Sequence, residues 1–381
     1  MKRIYVDHAA TTPMHKKVIE TMQKIMEERF GNPSSIHFFG RNSRKYLDLA
    51  RETIANSIGA EHSEIIFTSG GTEANNLAIF GAAYANKNKG KHIITTQIEH
   101  HAVLHPCEQL EKEGFEVTFL PVDETGIVSV ESVKNALRED TILVTIMSVN
   151  NETGMKQPIK EIGELLDDHQ AIFHTDAVQA YGVEKLNVNE LNVDLLTVSS
   201  HKIYGPKGVG FLYKRESLYI EPRLFGGEQE KAVRSGTENT LGIEGLQMAV
   251  QLLEEEREVR VSHYRKLFQH LVDSLTKESV NFHLNGDENL DKRAPNIINI
   301  SFPGTDVEQF LTNLDLVGIA ASSGSACTAG SIDPSHVLKA MFGEDSARLR
   351  NSIRFSFGID NTLEEMEYIA REIKKIIQRL S

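Results

Sequence analysis

Short β-rich runs alternate with amphipathic helical stretches from the start of the chain to about position 215. This alternation narrows the fold more than any other feature. EIIFTSG (64–70), KHIITTQ (91–97), FEVTFLPV (115–122), TILVTIMSVN (141–150), AIFHTDA (171–177), LLTVSS (195–200) and GVGFLY (208–213) read as strands. Helical patterns at 73–85, 101–113 and 158–168 fall between them. Nearly continuous apolar strands separated by helices predict an α/β fold: a mostly parallel seven-stranded sheet, covered by helices on both faces.

The pattern changes beyond 240. Residues 241–276 are Glu-rich and helically periodic, with no Gly or Pro after Gly245. They predict one long helix, or a pair, linking two domains. INISF (298–302), IRFSFG (353–358) and a final amphipathic helix over 362–380 then read as a smaller α+β domain. The expected division is a large domain over 15–255 and a small one made of 1–14 and 256–381. The N-terminal strand can pair with either. A chain of 381 residues has the length for this arrangement.

Charge and cysteine content remove several function classes. The net charge is −13, whereas a dedicated nucleic-acid binder needs clustered Lys and Arg. The two cysteines, Cys107 and Cys327, make no disulfide framework and point to a reducing compartment. The N-terminus MKRIYVDHAATTP lacks the apolar run of a signal peptide, and no stretch approaches the roughly 20 apolar residues of a membrane span. The expectation is a cytoplasmic protein with no membrane and no direct nucleic-acid contact.

Three segments carry chemistry. In TSGGTEANN (68–76) a strand ends in Ser-Gly-Gly-Thr and a helix begins. Gly70 and Gly71 let the backbone approach an anion, and the helix N-terminus offers unpaired N–H groups. An ordinary strand-to-helix turn capped by Thr72 is the competing reading. In HTDAVQ (174–179) Asp176 closes an otherwise apolar strand at the carboxyl end, where ligands bind in such sheets. A carboxylate there calls for a cationic partner such as a pyridinium nitrogen, unless it only caps a helix. Gln179 is placed to reach the same side of a ligand. In SSHKIYGPKGVG (199–210) Lys202 follows a buried strand, with Ser199 and His201 alternating with it. A Lys at the edge of an apolar sheet has a lowered pKa and a nucleophilic amine, although most Lys are simply at the surface. A phosphate-type turn, a strand-end Asp and a strand-end Lys, in that order in one sheet, form the constellation that pyridoxal phosphate requires.

Other residues are less decisive alone. His101 and His105 have metal-ligand spacing on a helix, but no HExxH pattern accompanies them, and Cys107 reads as core packing. Arg354 sits between apolar neighbours on a β-run, where an Arg normally points to solvent. Cys327 lies in SSGSACTAGSIDP, a run of small and polar residues ending in a Pro that starts the next helix. A structural Cys belongs in an apolar periodic stretch, so a thiol in such a loop (about 322–333) reads as a used one.

Taken together, YVDHAATTP (5–13), GNPSSIH (31–37), TSGGTEANN, EHHAVLHP (99–106), VNNETG (149–154), HTDAVQ, SSHKIYGPKGVG, RSGTEN (234–239) and SSGSACTAG (322–330) resemble the cysteine desulfurases. These are fold-type I pyridoxal-phosphate enzymes of the class-V aminotransferase family. The match covers essentially the whole chain in family order. It is similar to the long-loop class, which includes the iron–sulfur and nitrogenase-type desulfurases. The resemblance implies that Lys202 binds the cofactor covalently, Asp176 keeps its pyridinium nitrogen protonated, Gln179 meets the ring hydroxyl, and His100 stacks on the ring and helps move protons. Gly71, Thr72, Ser199 and His201 would cradle the phosphate, with Thr237 reaching the phosphate of the partner subunit in a homodimer. Asn151 and Arg354 would hold the carboxylate of L-cysteine, with Asn32 nearby; Asn151 also counts among the cofactor contacts. Cys327 would take the sulfur as a persulfide and release alanine. Its loop would carry the persulfide to an acceptor protein, an iron–sulfur scaffold or a tRNA-thiolating enzyme. No metal is expected in the isolated enzyme, with Cys327 touching an iron–sulfur cluster only during transfer. The chain ends at IIQRLS soon after its last helix, whereas housekeeping long-loop members carry a further scaffold-docking tail; a dedicated acceptor is therefore an equal expectation. The competing activities are a selenocysteine lyase or another β-lyase, an aminotransferase, and a non-enzymatic sulfur-carrier scaffold.

Overall fold

The structure, a computed structural model, describes residues 3–324, 327–328, 331–332 and 334–380, with backbone alone at 327–328 and 331–332. The first half of the chain contributes β1 (Ile4–Tyr5), α1 (Lys16–Glu28), α2 (Phe38–Ser57), β2 (Ile65–Thr68), α3 (Gly71–Asn86), β3 (His92–Thr96), α4 (His101–Lys112), β4 (Glu116–Leu120), α5 (Val130–Ala136), β5 (Thr141–Thr145), α6 (Ile159–Leu166) and β6 (Ile172–Asp176). Then follow β7 (Leu195–Ser199), β8 (Gly210–Lys214), α7 (Thr240–Lys277), β9 (His283–Asn285), β10 (Ile297–Ser301), α8 (Val307–Leu316), β11 (Ile319–Ala320), β12 (Cys327–Thr328), β13 (Ser331–Ile332), α9 (His336–Phe342), β14 (Ser352–Ser356) and α10 (Leu363–Leu380).

The main sheet has seven strands in the order β2-β8-β7-β6-β5-β3-β4. Only β8 runs antiparallel to its neighbours. Every residue of β3, β5, β6 and β7 is buried. Burial on both faces explains why these strands read as apolar runs rather than as alternating patterns. One expected strand is shorter than its pattern. The run 141–150 stops being a ladder strand at Thr145, although Ile146 N still donates to His174 O (3.1 Å) and Ser148 N to Asp176 O (2.9 Å). Asn150 then turns the chain: its Oδ1 accepts from Glu152 N and Thr153 N, both at 2.9 Å. The apolar residues continue past the strand because Ile146, Met147 and Val149 stay buried in the turn that follows.

The stretch predicted as one helix or two is a single 38-residue helix, α7, packed on α1, α2 and α10. It crosses the expected boundary at 255, so one helix supports both sets of elements. The second set is an antiparallel sheet, β14-β10-β9. The N-terminal strand joins this set: β1 pairs parallel with β11, Ile4 opposite Ile319, and Asp7 bridges to Ser356. One apolar core continues from Val198 and Phe211 of the main sheet through Leu267 and Leu271 of α7 to Ile300 and Phe355. Among the described residues no helix is long and apolar enough to cross a membrane.

Candidate active site

The carboxyl ends of β6 and β7, the start of α3 and the N-terminal segment meet at a cavity of about 460 Å³. That volume lies within the usual range for small-ligand sites. Its lining includes Gly71, Thr72, Asn75, His100, Asn151, Asp176, Gln179, Ser199, His201, Lys202 and Arg354. Residues far apart in sequence meet there because parallel strands all end on the same edge.

Lys202 closes a single 3₁₀ turn (Ser200–Lys202) after β7. Its Nζ donates to the carbonyls of Ala9 and Ala10, the latter at 2.8 Å. Burial, reinforced by the Arg354 guanidinium, pulls its pKa down to about 8. A buried ammonium is costly, so a usable fraction of neutral, nucleophilic amine exists near neutral pH. Asp176 is buried, with Oδ1 accepting from Val178 N (2.9 Å) and Oδ2 from Asn75 Nδ2 (2.6 Å). Gln179 Nε2 donates to Ala9 O (3.0 Å), which ties the Gln179 and Lys202 side chains to one carbonyl.

The turn at 68–72 differs from the plain capped form. The cap is Gly70, not Thr72; the helix begins at Gly71, and no side chain caps it. The reason is steric and electrostatic. Gly70 has φ +148°, and a Cβ on Gly71 would lie 3.0 Å from Val178 Cγ2. The first-turn N–H groups of α3 thus have no side-chain cap, and Gly71, Thr72 and Ser199 all line the cavity. His201 lies alongside, its Nδ1 3.1 Å from Thr11 Oγ1. Burial, then Lys202 and Lys207, push its pKa down to about 4. His100 caps α4, its Nδ1 accepting from Ala102 N (3.0 Å). Its pKa is lowered by burial and by Lys202, against the pull of Asp176.

Arg354 corrects the expectation drawn from its local pattern. It does not point to solvent: it is buried, with Nη2 on Asp7 Oδ1 (2.8 Å) and Nη1 on Asn151 O (2.8 Å). The N-terminal segment covers that face of β14, which a local reading cannot see. Its Nε has no hydrogen-bond partner, nor has Asn75 Oδ1; both are buried polar atoms of cavity-lining residues. Two predicted residues lie elsewhere. Asn32 is exposed, its Oδ1 accepting from Ser34 N (2.9 Å), and Thr237 is exposed; neither lines the cavity. Cys327 is placed as backbone, paired with Ile332 in the β12–β13 ladder; its thiol lies outside the described residues. Pro334 precedes α9 rather than starting it, and Ser335 is the cap. Among the described residues no group of three His, Cys, Asp or Glu is arranged to hold a metal, His101 and His105 included. Cys107 is buried in the core.

Sequence reasoning missed Asn75, Asp7 and the Ala9 and Ala10 carbonyls. A signal for Asn75 existed: an Asn on the buried face of a helix otherwise lined by Ala, Leu and Ile needs a polar partner.

A strand-end carboxylate, a depressed lysine and an uncapped helix start, on a sheet of this topology, define a pyridoxal-phosphate enzyme of fold type I. The orphaned Asn75 Oδ1 and Arg354 Nε, with the tight Gly71 notch, fit that cofactor and an α-carboxylate substrate. The class-V aminotransferase family model matches residues 4–369. A Bacillus subtilis (strain 168) chain provisionally named cysteine desulfurase IscS 1 is 56% identical over the full length of both chains. The cysteine desulfurase IscS of Dictyoglomus turgidum is 48% identical, covering 100% of this chain and 96% of that one. Among solved structures, a NifS-like protein superposes with a TM-score of 0.92 at 35% identity, covering 99% of this chain and all of that one. The chain belongs to the cysteine desulfurases of the class-V aminotransferase family, which depend on pyridoxal phosphate.

Proposed function

We propose that the chain takes the sulfur of L-cysteine onto Cys327 and hands it to an acceptor protein. The observation that carries this reading is the meeting of Lys202, Asp176 and Arg354 in one cavity, with the Cys327 segment joined to the Arg354 strand through the Ser322 bridge.

Pyridoxal phosphate, held by Lys202, Asp176, Gln179, Ser199, His201 and the Gly71–Thr72 turn, supplies an electron sink for charge developing at the substrate's Cα. The protein's residues do the rest. Arg354 and Asn151 orient the carboxylate, the guanidinium through its planar fork. Lys202 Nζ, its pKa lowered, takes the Cα proton as a base. The Cys327 thiolate attacks the substrate sulfur. A sulfur–sulfur bond forms, the carbon–sulfur bond breaks, and its electron pair passes to the substrate carbon. Two protons, carried by Lys202 and His100, complete alanine, and the persulfide stays on Cys327.

The active form in this reading is a cytoplasmic homodimer. Phe30, Ile36 and Phe225 are 75, 90 and 82% exposed, an apolar set that a second copy would cover. Thr237, exposed and outside its own cavity, is then free to reach the partner's phosphate. The two lobes are 15–255, and 1–14 with 256–381. The acceptor belongs to iron–sulfur assembly or to tRNA thiolation.

Cys327→Ala tests the reading. It should bind cofactor and cysteine normally but lose alanine formation. Alanine at the wild-type rate would instead mark a lyase that has no use for the thiol. Persulfide transfer to purified acceptors of each kind then separates the two destinations.

A further inference from the structure

Two buried acids near the cavity have no part in the chemistry above, Glu99 and Glu152. Glu99 is turned away from the cavity: its side chain accepts from Thr96 Oγ1 (2.7 Å) and from Met147 N (3.0 Å). Glu152 lines the cavity and is 1% exposed. Its backbone is fixed on both sides, with N donating to Asn150 Oδ1 (2.9 Å) and O accepting from Asn299 Nδ2 of β10 (3.2 Å). The residue's backbone is therefore held at a set point in the cavity wall.

What Glu152 touches is the chain on either side of Cys327. Ser335 Oγ donates to Glu152 Oε2, while the same Oγ accepts from Leu338 N (3.0 Å) and caps α9. His336, the next residue, adds a second tie, its Nε2 2.8 Å from Glu99 O. On the other side of Cys327, Gly324 crosses directly over the carboxyl. It has φ +88°, and a Cβ there would lie 3.1 Å from Glu152 Oε2 and 3.3 Å from Cγ. Only Gly adopts such a conformation freely at so close an approach. Just upstream, Ser322 pairs with Arg354 (Arg354 N to Ser322 O, 2.7 Å).

We propose that Glu152 is a positioning residue for sulfur transfer: its carboxyl anchors the segment bearing Cys327 through the hydrogen bond from Ser335 after the cysteine, with Gly324 before it packed close against the same carboxyl, and so sets where the thiol is presented to the substrate. Burial raises its pKa to about 7, outweighing the hydrogen bond from Ser335, which lowers it. Neighbouring Arg354 also acts against burial, favouring the carboxylate. The inference rests on the reading that Cys327 receives the sulfur.

The test separates chemistry at Cα from arrival at Cys327. In the holoenzyme, exchange of the α-hydrogen of L-alanine for deuterium needs Lys202 and Arg354 but not the thiol. Persulfide formed on Cys327 in a single turnover needs all three. Glu152→Ala should slow persulfide formation by about tenfold or more while α-hydrogen exchange stays within about twofold of wild type. Glu152→Gln, which keeps the volume and an acceptor for Ser335, should recover most of the rate and guards against a folding failure of the alanine variant. Ser335→Ala, which also removes the cap on Leu338 N, should slow persulfide formation alone and should act less than multiplicatively when placed on Glu152→Ala, because the two share one contact. The proposal is overturned if Glu152→Ala leaves persulfide formation unchanged, if exchange falls equally with it, or if the two substitutions multiply. Cys327→Ala run in parallel marks the other failure: alanine made from cysteine at the wild-type rate by that variant overturns the sulfur-acceptor reading itself.

Discussion

Asn75→Ala removes a single hydrogen bond and tests how Asp176 is made ready for the cofactor. Asn75 Nδ2 donates to Asp176 Oδ2 at 2.6 Å, and Val178 N donates to Oδ1 at 2.9 Å. Both side chains have little exposed surface, and they line the cavity that the cofactor would fill. A net hydrogen bond to a charged group is worth about 1.5–3 kcal/mol, and deleting one donor leaves the carboxylate under-satisfied. Without Asn75 the carboxylate is held on one oxygen only and can rotate away from the cofactor nitrogen. The expected result is a loss of about 1.5–3 kcal/mol in urea unfolding of the cofactor-free protein, and a rise of about tenfold in the cofactor dissociation constant followed by absorbance. Asn75→Asp should weaken cofactor binding further, because two carboxyl groups this close share one proton and the nitrogen loses a dedicated anion. Unchanged unfolding and unchanged cofactor affinity in Asn75→Ala would refute the idea that this contact orients Asp176.

Other consequences can be checked separately. Arg354→Lys keeps the charge but loses the fork that serves Asn151 O and Asp7 together, so KM for cysteine should rise about tenfold or more with a smaller change in kcat, read by steady-state alanine formation. Glu99 has its pKa pushed up to about 8 by burial, with Asp176 adding to the rise. The stability it contributes is therefore full below the ordinary value of 4.5 and is lost as pH rises through about 8. Glu99→Gln should flatten that decline in urea midpoints taken across this window, and an unchanged pH slope would show that Glu99 is not its source. Gly71→Ala should weaken cofactor binding by about tenfold, because the added Cβ lies 3.0 Å from Val178 Cγ2 in the turn proposed to hold the phosphate; a titration showing native affinity would remove Gly71 from that role.

The parts of this protein that were legible in its sequence are those whose causes are local. Buried parallel strands must be apolar on both faces, so the seven runs and their helices stand out. Asp176 is legible because it breaks an apolar strand at its end, and Lys202 because it closes the turn that directly follows one. Arg354 is not, because its exposure depends on residues 4–10, which pair with β11 and β14 from the far end of the chain. Glu152 is hidden for the same reason: what makes it notable is Ser335, 183 positions away. Where strand 5 ends was also illegible, since residues 146–149 stay buried and apolar after leaving the ladder. The cap at Gly70 rather than Thr72 depends on Val178 and Ser199 crowding the turn, again a tertiary cause.

The central claim is that sulfur leaves L-cysteine for Cys327. The most direct measurement is a single turnover of the holoenzyme with sulfur-labelled L-cysteine, trapping by an alkylating reagent, and mass mapping of both cysteine peptides. Cys107, buried in the core with its pKa raised above the ordinary thiol range, is the internal control. The account predicts one labelled sulfur on the Cys327 peptide, none on the Cys107 peptide, and alanine in equal amount. Alanine formed with no label on Cys327, or label on Cys107, would contradict it.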